Sequence, residues 1–464
     1  MILIFLFFFL VYISFSFLTL KKVFEGNSIY LLYYIILFLP FYTFFQLIAL
    51  KFSDQIIFVQ LIRYSKDIII FSSFFIYIFG FRENFNRLKF SFSVLDKCVI
   101  FFSLLTFFYS IIPLGNADFI SRLLYSKNIY LISVIYFFGR VSILNQITWN
   151  TINKIIKVLI ISAFLISSIE YFFGSHLHTL IGYSDYLFKV YDRLPVGNFG
   201  LSWSFERGPE QGRFAAFFAD PLEYSASLIL FFSFIIYSFY NAKNLNQKLY
   251  YLFFITIIIL SFIFAYSRAS IVSAILIFVL SLLLTRRYSF LLKFIFLITI
   301  SAFMFFYLGS DDAVYFIIDT LTFNELSSLG HLFEWIEGFL TLLSNPFGIG
   351  LAMSGNASSV DQSIKIGGEN QFLIYGVQMG FLSLTTYVMI LFYSVKISLY
   401  VFFESKKEIF KSLAFVAGFT KVGLLIPSFT ANAELYLFVS LFSWFLVGVV
   451  QSEFIRIRAL RLNK

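Results

Sequence analysis

Runs of apolar residues recur along the chain between short polar clusters, each long enough for a helix to cross a hydrocarbon layer about 30 Å thick. They predict thirteen spans, at 2–20, 29–50, 56–81, 97–114, 128–146, 156–174, 221–240, 249–267, 269–285, 288–308, 371–396, 409–428 and 435–451. Strands of about ten alternating residues are absent, so the pattern predicts an all-α polytopic transmembrane helical bundle of about 12–14 spans rather than a barrel. The first run has no basic start and no small-residue cleavage site before Lys21, which predicts an anchor rather than a signal peptide.

Composition agrees with the pattern. Of 464 residues 60% are hydrophobic and 13% charged, with 70 Phe and 29 Tyr, too few charges to cover a soluble surface. A soluble enzyme, a nucleic-acid reader and a disordered scaffold are excluded. The net charge of +9 lies mostly in clusters between spans. With the N-terminus outside, 19 cations fall on the cytoplasmic side, among them Lys21, Arg82, Arg87, Lys89, Arg286, Lys406 and Lys464, against Lys51, Arg122, Lys127 and Arg268 outside. The single cysteine, Cys98, excludes an intramolecular disulfide.

Two long segments leave the apolar pattern and divide the chain into N-terminal spans (1–174), a first external loop (175–220), central spans (221–308), a second external loop (309–370) and C-terminal spans with a basic tail (371–464). The second loop carries eight carboxylates, including Asp311, Asp312, Glu325, Glu334, Asp361 and Glu369, against Lys365 alone. Polar chemistry gathered on long external loops points to action at the outer face. There is no internal repeat and no pair of matching halves with broken helices, which counts against a secondary transporter.

Metal and nucleotide motifs are absent, and His176, His178 and His331 have no helical ligand spacing, so no metal and no cofactor is expected. Asn356-Ala-Ser358 matches a glycosylation sequon, a frequent chance match. Arg207 and Arg213 flank a Pro and two Gly, and Asp220-Pro221 starts the seventh span; paired guanidinium groups suit a diphosphate, while lone loop arginines also meet lipid headgroups. Arg268 stands outside, against the charge trend. In the third span Arg63 and Asp67 are one helical turn apart, a spacing that pairs them and leaves Lys66 to face an anion; the alternative is a span that starts near Ile68. Glu369 lies at the start of the eleventh span, either as a general base toward an external hydroxyl or as compensation for the helix dipole. Gly348-Ile-Gly350 after Asn345-Pro346-Phe347 reads as a turn or a re-entrant bend rather than a nucleotide cradle.

Taken in order, these motifs resemble the bacterial O-antigen polymerase and O-antigen ligase superfamily of integral membrane glycosyltransferases over about residues 205–380. The elements that carry the resemblance are Arg213, Ala216, Phe218 and Pro221, with Ala where Gly is usual, and the pair Ser267-Arg268. His331 and Trp335 then precede Asn345-Pro346-Phe347-Gly348-Ile349-Gly350, followed by Glu369-Asn370, Phe372-Leu373, Gln378 and Gly380. Glu369 stands where the family has His, and Gln378 where it has Glu, which turns the reading from the ligase branch toward the polymerases.

The resemblance implies a metal-independent glycosyltransferase in the bacterial cytoplasmic membrane with its active site facing the periplasm or exterior. Donor and acceptor would be oligosaccharides on undecaprenyl diphosphate, with a chain-length regulator and a flippase as possible partners beside membrane lipids, and no nucleic acid. Arg213, Arg268, Arg207, Arg63 and Lys66 would bind the diphosphate, Glu369 would be the base with His331 as runner-up, and Asn370, Asp220 and Gln378 would support them. The alternatives are a ligase transferring glycan to lipid A core, a lipid-linked oligosaccharide flippase, and a structural subunit of a polysaccharide complex.

Overall fold

All thirteen predicted spans coincide with helices in the computed structural model, which describes residues 2–80, 91–208, 211–308, 310, 314–315, 318–320, 322–355 and 366–462. Arg82, Arg87, Lys89, Asp311, Asp312, Asn356, Asp361, Lys365 and Lys464 lie outside these. The chain forms α1 (Ile2–Phe24), α2 (Ile29–Phe38), α3 (Tyr42–Ser53), α4 (Ile56–Gly80), α5 (Val94–Ile111), α6 (Phe119–Val141) and α7 (Gln146–Phe173). The first loop holds α8 (Leu177–Ile181), α9 (Tyr183–Tyr191) and a small hairpin, β1 (Glu206–Gly208) with β2 (Gln211–Gly212). Then come α10 (Pro221–Tyr240), α11 (Leu245–Ala265), α12 (Arg268–Leu284) and α13 (Tyr288–Leu308), α14 (Leu326–Ser344) in the second loop, and α15 (Gln371–Glu404), α16 (Glu408–Leu425), α17 (Pro427–Thr430) and α18 (Leu437–Leu462). Among the described residues ten helical segments are long and apolar enough to cross a membrane. The protein is therefore a multi-pass, all-α membrane protein.

Local chemistry sets the ends. Asp220 caps α10 through its carboxylate, which accepts the Glu223 amide at 2.7 Å, and Pro221 at the first helical position needs no donor. Asn370 caps α15 by accepting the amides of Phe372 and Leu373 at 3.0 and 3.1 Å. Pro40 falls in a 3₁₀ turn between α2 and α3, so the second span is bent.

Packing follows side-chain size. α6 and α18 approach most closely where Gly139 faces Gly448: a Cβ on Gly139 would lie 2.1 Å from the Phe445 carbonyl oxygen, and one on Gly448 would lie 2.3 Å from that of Tyr136. In lipid, where tails are as apolar as the helices, such close backbone approach supplies the contact that hydrophobic burial cannot. α10 and α18 are buried on nearly all sides, whereas α13 exposes almost its whole surface, as a lipid-facing helix does.

One helix is not continuous, which the apolar pattern did not anticipate. α15 breaks at Gly380, where φ is +77° and ψ −176°. The loop after α14 fills the break: the amides of Ile349 and Gly350 donate to the carbonyls of Val377 and Gln378 at 2.8 and 3.1 Å, and the Phe381 amide donates to Pro346 at 2.9 Å. Backbone released at membrane depth is satisfied by protein, the condition under which a spanning helix tolerates a break. Residues 345–350 thus form a bend that folds into the helix break, in keeping with the turn or re-entrant bend expected from the sequence.

Candidate functional site

The first loop is folded around Glu170 at the end of α7. One of its oxygens accepts the Leu177 amide at 2.8 Å and the other the Ala216 amide at 2.9 Å, which ties α8 and the Arg213–Pro221 segment to the same helix end. Arg213 follows β2 directly; its amide donates to Phe205 at 2.8 Å, and the next amide, Phe214, donates to Phe264 at the end of α11. Ala216 has φ +51°, in the left-handed region that favours glycine.

Arg213 and Glu369 both lie within electrostatic reach of Asp220, the cap of α10. Burial, and then the neighbouring Glu369 charge, push the Asp220 carboxyl above its ordinary range, with Arg213 opposing. Tyr436, between α17 and α18, faces the same group: its hydroxyl is held protonated by burial and by Asp220, Glu369 and Glu223. Residues separated by more than 200 positions therefore meet at one end of the bundle.

His331 reaches this group only indirectly. Its Nδ1 lies 3.9 Å from Glu334, and the same carboxylate oxygen of Glu334 accepts the Glu369 amide at 3.2 Å. A Cβ on Gly368 would lie 2.0 Å from Glu334, so Gly368 makes room for that contact. Trp335, on the same helix, donates to the Phe429 carbonyl at 2.8 Å and docks α14 against α17. Gln378 is fully buried and holds the re-entrant bend, accepting the Ala352 amide at 2.7 Å and donating to Ser354 at 3.1 Å.

A second group of cations adjoins the first. Arg63 and Lys66 of α4 and Lys127 of α6 line a cavity of about 240 Å³ with Tyr42, Gln46 and Tyr191, and Leu435 and Leu437, the neighbours of Tyr436, close it on one side. Two of these cations share one carboxylate: Lys66 and Lys127 both bridge Asp67, at 2.8 and 2.5 Å, and Lys66 and Asp67 are buried. The expected Arg63–Asp67 pair is therefore corrected. Asp67 is taken by its sequence neighbour and by a residue of another helix, and the Arg63 guanidinium instead lies 5.0 Å from the centre of the Tyr191 ring. α4 is continuous from Ile56, so these charges sit within the helix and not before it.

Arg268 has a different place. It starts α12 and binds Thr320 at 2.8 Å and Glu325 at 3.3 Å, and Glu325 caps α14 by accepting the Ser328 amide at 3.0 Å. Its bonds join a spanning helix to the second loop. Arg207 lies in β1, and its side chain is outside the described residues.

The sequence reading missed Lys127, Glu223, Glu334 and Tyr436, together with a buried group behind Asn370. There Glu434 accepts Tyr387 and Trp444 at 2.9 Å each, with the Lys421 ammonium 3.9 Å away and 3.6 Å from the Trp444 ring centre. Glu434 also donates its amide to Gln371 at 3.1 Å, which fixes the Tyr436 segment to the start of α15. Charged residues inside apolar runs, Lys421 above all, were the available signal. Among the described residues no group of three or more His, Cys, Asp or Glu is placed to hold a metal ion. No protein-family model matches the chain, and no curated protein matches it.

Proposed function

We propose that the chain is a bacterial oligosaccharide repeat-unit polymerase, joining undecaprenyl-diphosphate-linked units at the outer face of the cytoplasmic membrane. The observation that carries the reading is the adjacency of a three-cation pocket and a carboxylate pair. Arg63, Lys66 and Lys127 converge on one cavity, and the segment that closes it, Leu435–Leu437, carries Tyr436 within electrostatic reach of Arg213, Asp220 and Glu369.

In this reading the cations hold a diphosphate, whose charges they offset more fully in a partly desolvated cavity than in water. Glu369 takes the proton from the acceptor hydroxyl as its oxygen bonds to the anomeric carbon. The bond from that carbon to the diphosphate oxygen breaks, and its electron pair leaves with the diphosphate. Asp220, with its carboxyl pushed up beside Glu369, shares the local negative charge so that one carboxylate of the pair is the base. Arg268 acts by anchoring the second loop through Glu325 rather than by touching the diphosphate.

The break in α15 at Gly380 is the one feature that favours a flippase, since transporters build sites on broken helices. Purified protein reconstituted with lipid-linked repeat units separates the readings. Polymerase activity gives a ladder of products, and a flippase moves single units across the bilayer without joining them. A ligase forms product only when lipid A core is added. Absence of a ladder under conditions where the protein binds the lipid-linked unit removes the polymerase reading.

A further inference from the structure

α4 and α5 both pack on α6, and between them lies a groove of about 640 Å³ whose walls are almost wholly apolar. Phe71 and Phe75 of α4, Ile100 and Phe107 of α5, and Val134 and Phe137 of α6 line it. α4 and α6 run parallel: Asp67 meets Lys127, and further along Tyr77 packs edge-on against Phe138 with ring centres 5.9 Å apart. α5 runs the other way, with Ser103 bonded to Ser133 at 2.8 Å and Asp96 to Arg140 at 2.9 Å. The groove therefore extends from the Asp96–Arg140 end to the level of Phe107 and Tyr130, about 16 Å at the helical rise.

Continuing in that direction leads to the cationic pocket. Lys127 stands three residues before Tyr130 on α6, and Asp67 four residues before Phe71 on α4, spacings that keep each on the groove-facing side of its helix. The Asp67–Lys127 bridge joins α4 to α6 beyond the Phe107–Tyr130 end of the groove, and Lys127 also lines the cavity of Arg63 and Lys66. Phe75, Ile100, Leu104 and Phe107 are exposed, so the groove opens sideways, toward the side on which lipid lies.

We propose that this groove holds the hydrocarbon chain of a polyprenyl diphosphate whose head sits among Arg63, Lys66 and Lys127. The proposal rests on the polymerase reading and specifies where the lipid of its substrate runs. A bilayer is as apolar as the groove, so the chain gains little by the transfer alone. The charged head selects the lipid, and the groove sets the direction from which the head reaches the pocket. Flat phenylalanine faces suit the planar double bonds and methyl branches of a polyprenyl chain.

The test uses the full chain in nanodiscs with sugar-free undecaprenyl diphosphate, with geranyl diphosphate as a head carrying a short tail, and with phosphatidylglycerol as competitor. Val134→Trp and Ser103→Trp fill the groove and, by closing that approach to the pocket, should weaken undecaprenyl diphosphate binding about threefold while leaving geranyl diphosphate binding unchanged. Lys127→Met should weaken both. On the unmutated chain, an undecaprenyl diphosphate with a photoreactive tail should label peptides from α5 and α6, a measurement that stands even where a tryptophan variant does not fold. Labelling elsewhere, unchanged undecaprenyl diphosphate binding by folded Val134→Trp, or equal competition by phosphatidylglycerol overturns the proposal. The expected binding pattern in a protein that forms no ladder supports the groove while removing the polymerase reading.

Discussion

The carbonyl of Pro346 accepts the amide of Phe381 at 2.9 Å, across a loop that enters the break in α15. Gly380 sits between the two halves at φ +77° and ψ −176°, a region open only to glycine, and a Cβ there would lie 2.3 Å from that same Pro346 oxygen. Gly380→Ala should therefore cost about 3 kcal/mol through backbone strain and lost contact together. Gly376→Ala is the control: it lies in regular helix, and its nearest neighbour would be the flexible end of Leu342 at 3.1 Å, with Leu384 at an ordinary contact of 3.6 Å, so ~1 kcal/mol or less is expected. Thermal unfolding in detergent compares the two, and equal midpoints would show that the break tolerates a side chain.

Ala216, in the motif that carries Arg213, offers the opposite change. Its φ of +51° strains an alanine, so Ala216→Gly should raise stability by about 0.5–1 kcal/mol, provided the Glu170 bond to its amide is kept. A lower unfolding midpoint for the glycine variant would mean that chain entropy outweighs the strain.

How much of this was legible in the sequence differs between the spans and the site. Apolar runs located the helices, ten of which are long and apolar enough among the described residues to cross a membrane, because a lipid-crossing helix must satisfy its own backbone, a requirement written locally in composition. The charges of α4 show where local reading stops. Spacing within one helix suggested Arg63 with Asp67, but Asp67 is claimed by Lys127 from another helix, 60 residues on, and no periodicity encodes which helix lies alongside. Gly380 was legible as a motif position and not as a break, because the partner that makes a break tolerable, residues 345–350, lies in a different part of the sequence, before α15 begins. Arg213, Asp220 and Glu369 were each singled out by local chemistry, and the fold brings them together.

Lys66 separates a binding role from a structural one. Removing one partner of a buried ion pair costs about 3–5 kcal/mol when it leaves the other charge unpaired, but Asp67 retains Lys127, so Lys66→Met should cost clearly less, about 1–2 kcal/mol. If the pocket holds a diphosphate, the same change should lower affinity for it by about tenfold or more, because a charge-assisted contact is lost. Unfolding and lipid-binding measurements on one preparation decide. A large loss of stability with unchanged affinity would make Lys66 a packing residue only.

The first loop should respond to acid. His178 packs against Phe205 and Tyr183, its Nε2 bonds the Phe218 carbonyl at 2.9 Å, and burial pushes the imidazole down to about 4, as burial also does for His176. An opened loop titrates near ~6.5. Between those values the open form binds more protons than the closed form, so the closed loop loses stability as pH falls from 6.5 toward 4 and the loss levels off below it. For His178 the full effect is about 3 kcal/mol. Hydrogen exchange of residues 175–220, corrected for intrinsic rates, should quicken at pH 5 relative to pH 7.5, and His178→Gln should reduce the difference. A pH-independent pattern in the unmutated chain would contradict the assignment.

Glu369 is the position on which the chemistry turns. It lies within electrostatic reach of Asp220, as Arg213 does, its amide is bonded to Glu334, and Asn370 next to it caps α15, so its backbone is held at a helix end. Glu369→Gln keeps the shape and hydrogen bonding but removes the proton acceptor. Removing a general base costs about 10²–10⁴-fold, which should abolish the polymer ladder while single lipid-linked units accumulate. His331 touches the site only through Glu334, so His331→Ala should cost far less, and Glu334→Gln should reproduce that smaller loss because it disturbs the same link. Lipid binding should survive in all three variants, since the cationic pocket is formed by α4 and α6. A Glu369→Gln protein that still polymerises normally, beside an inactive His331→Ala that binds lipid, would move the base to His331 and leave Glu369 a partner of Asp220.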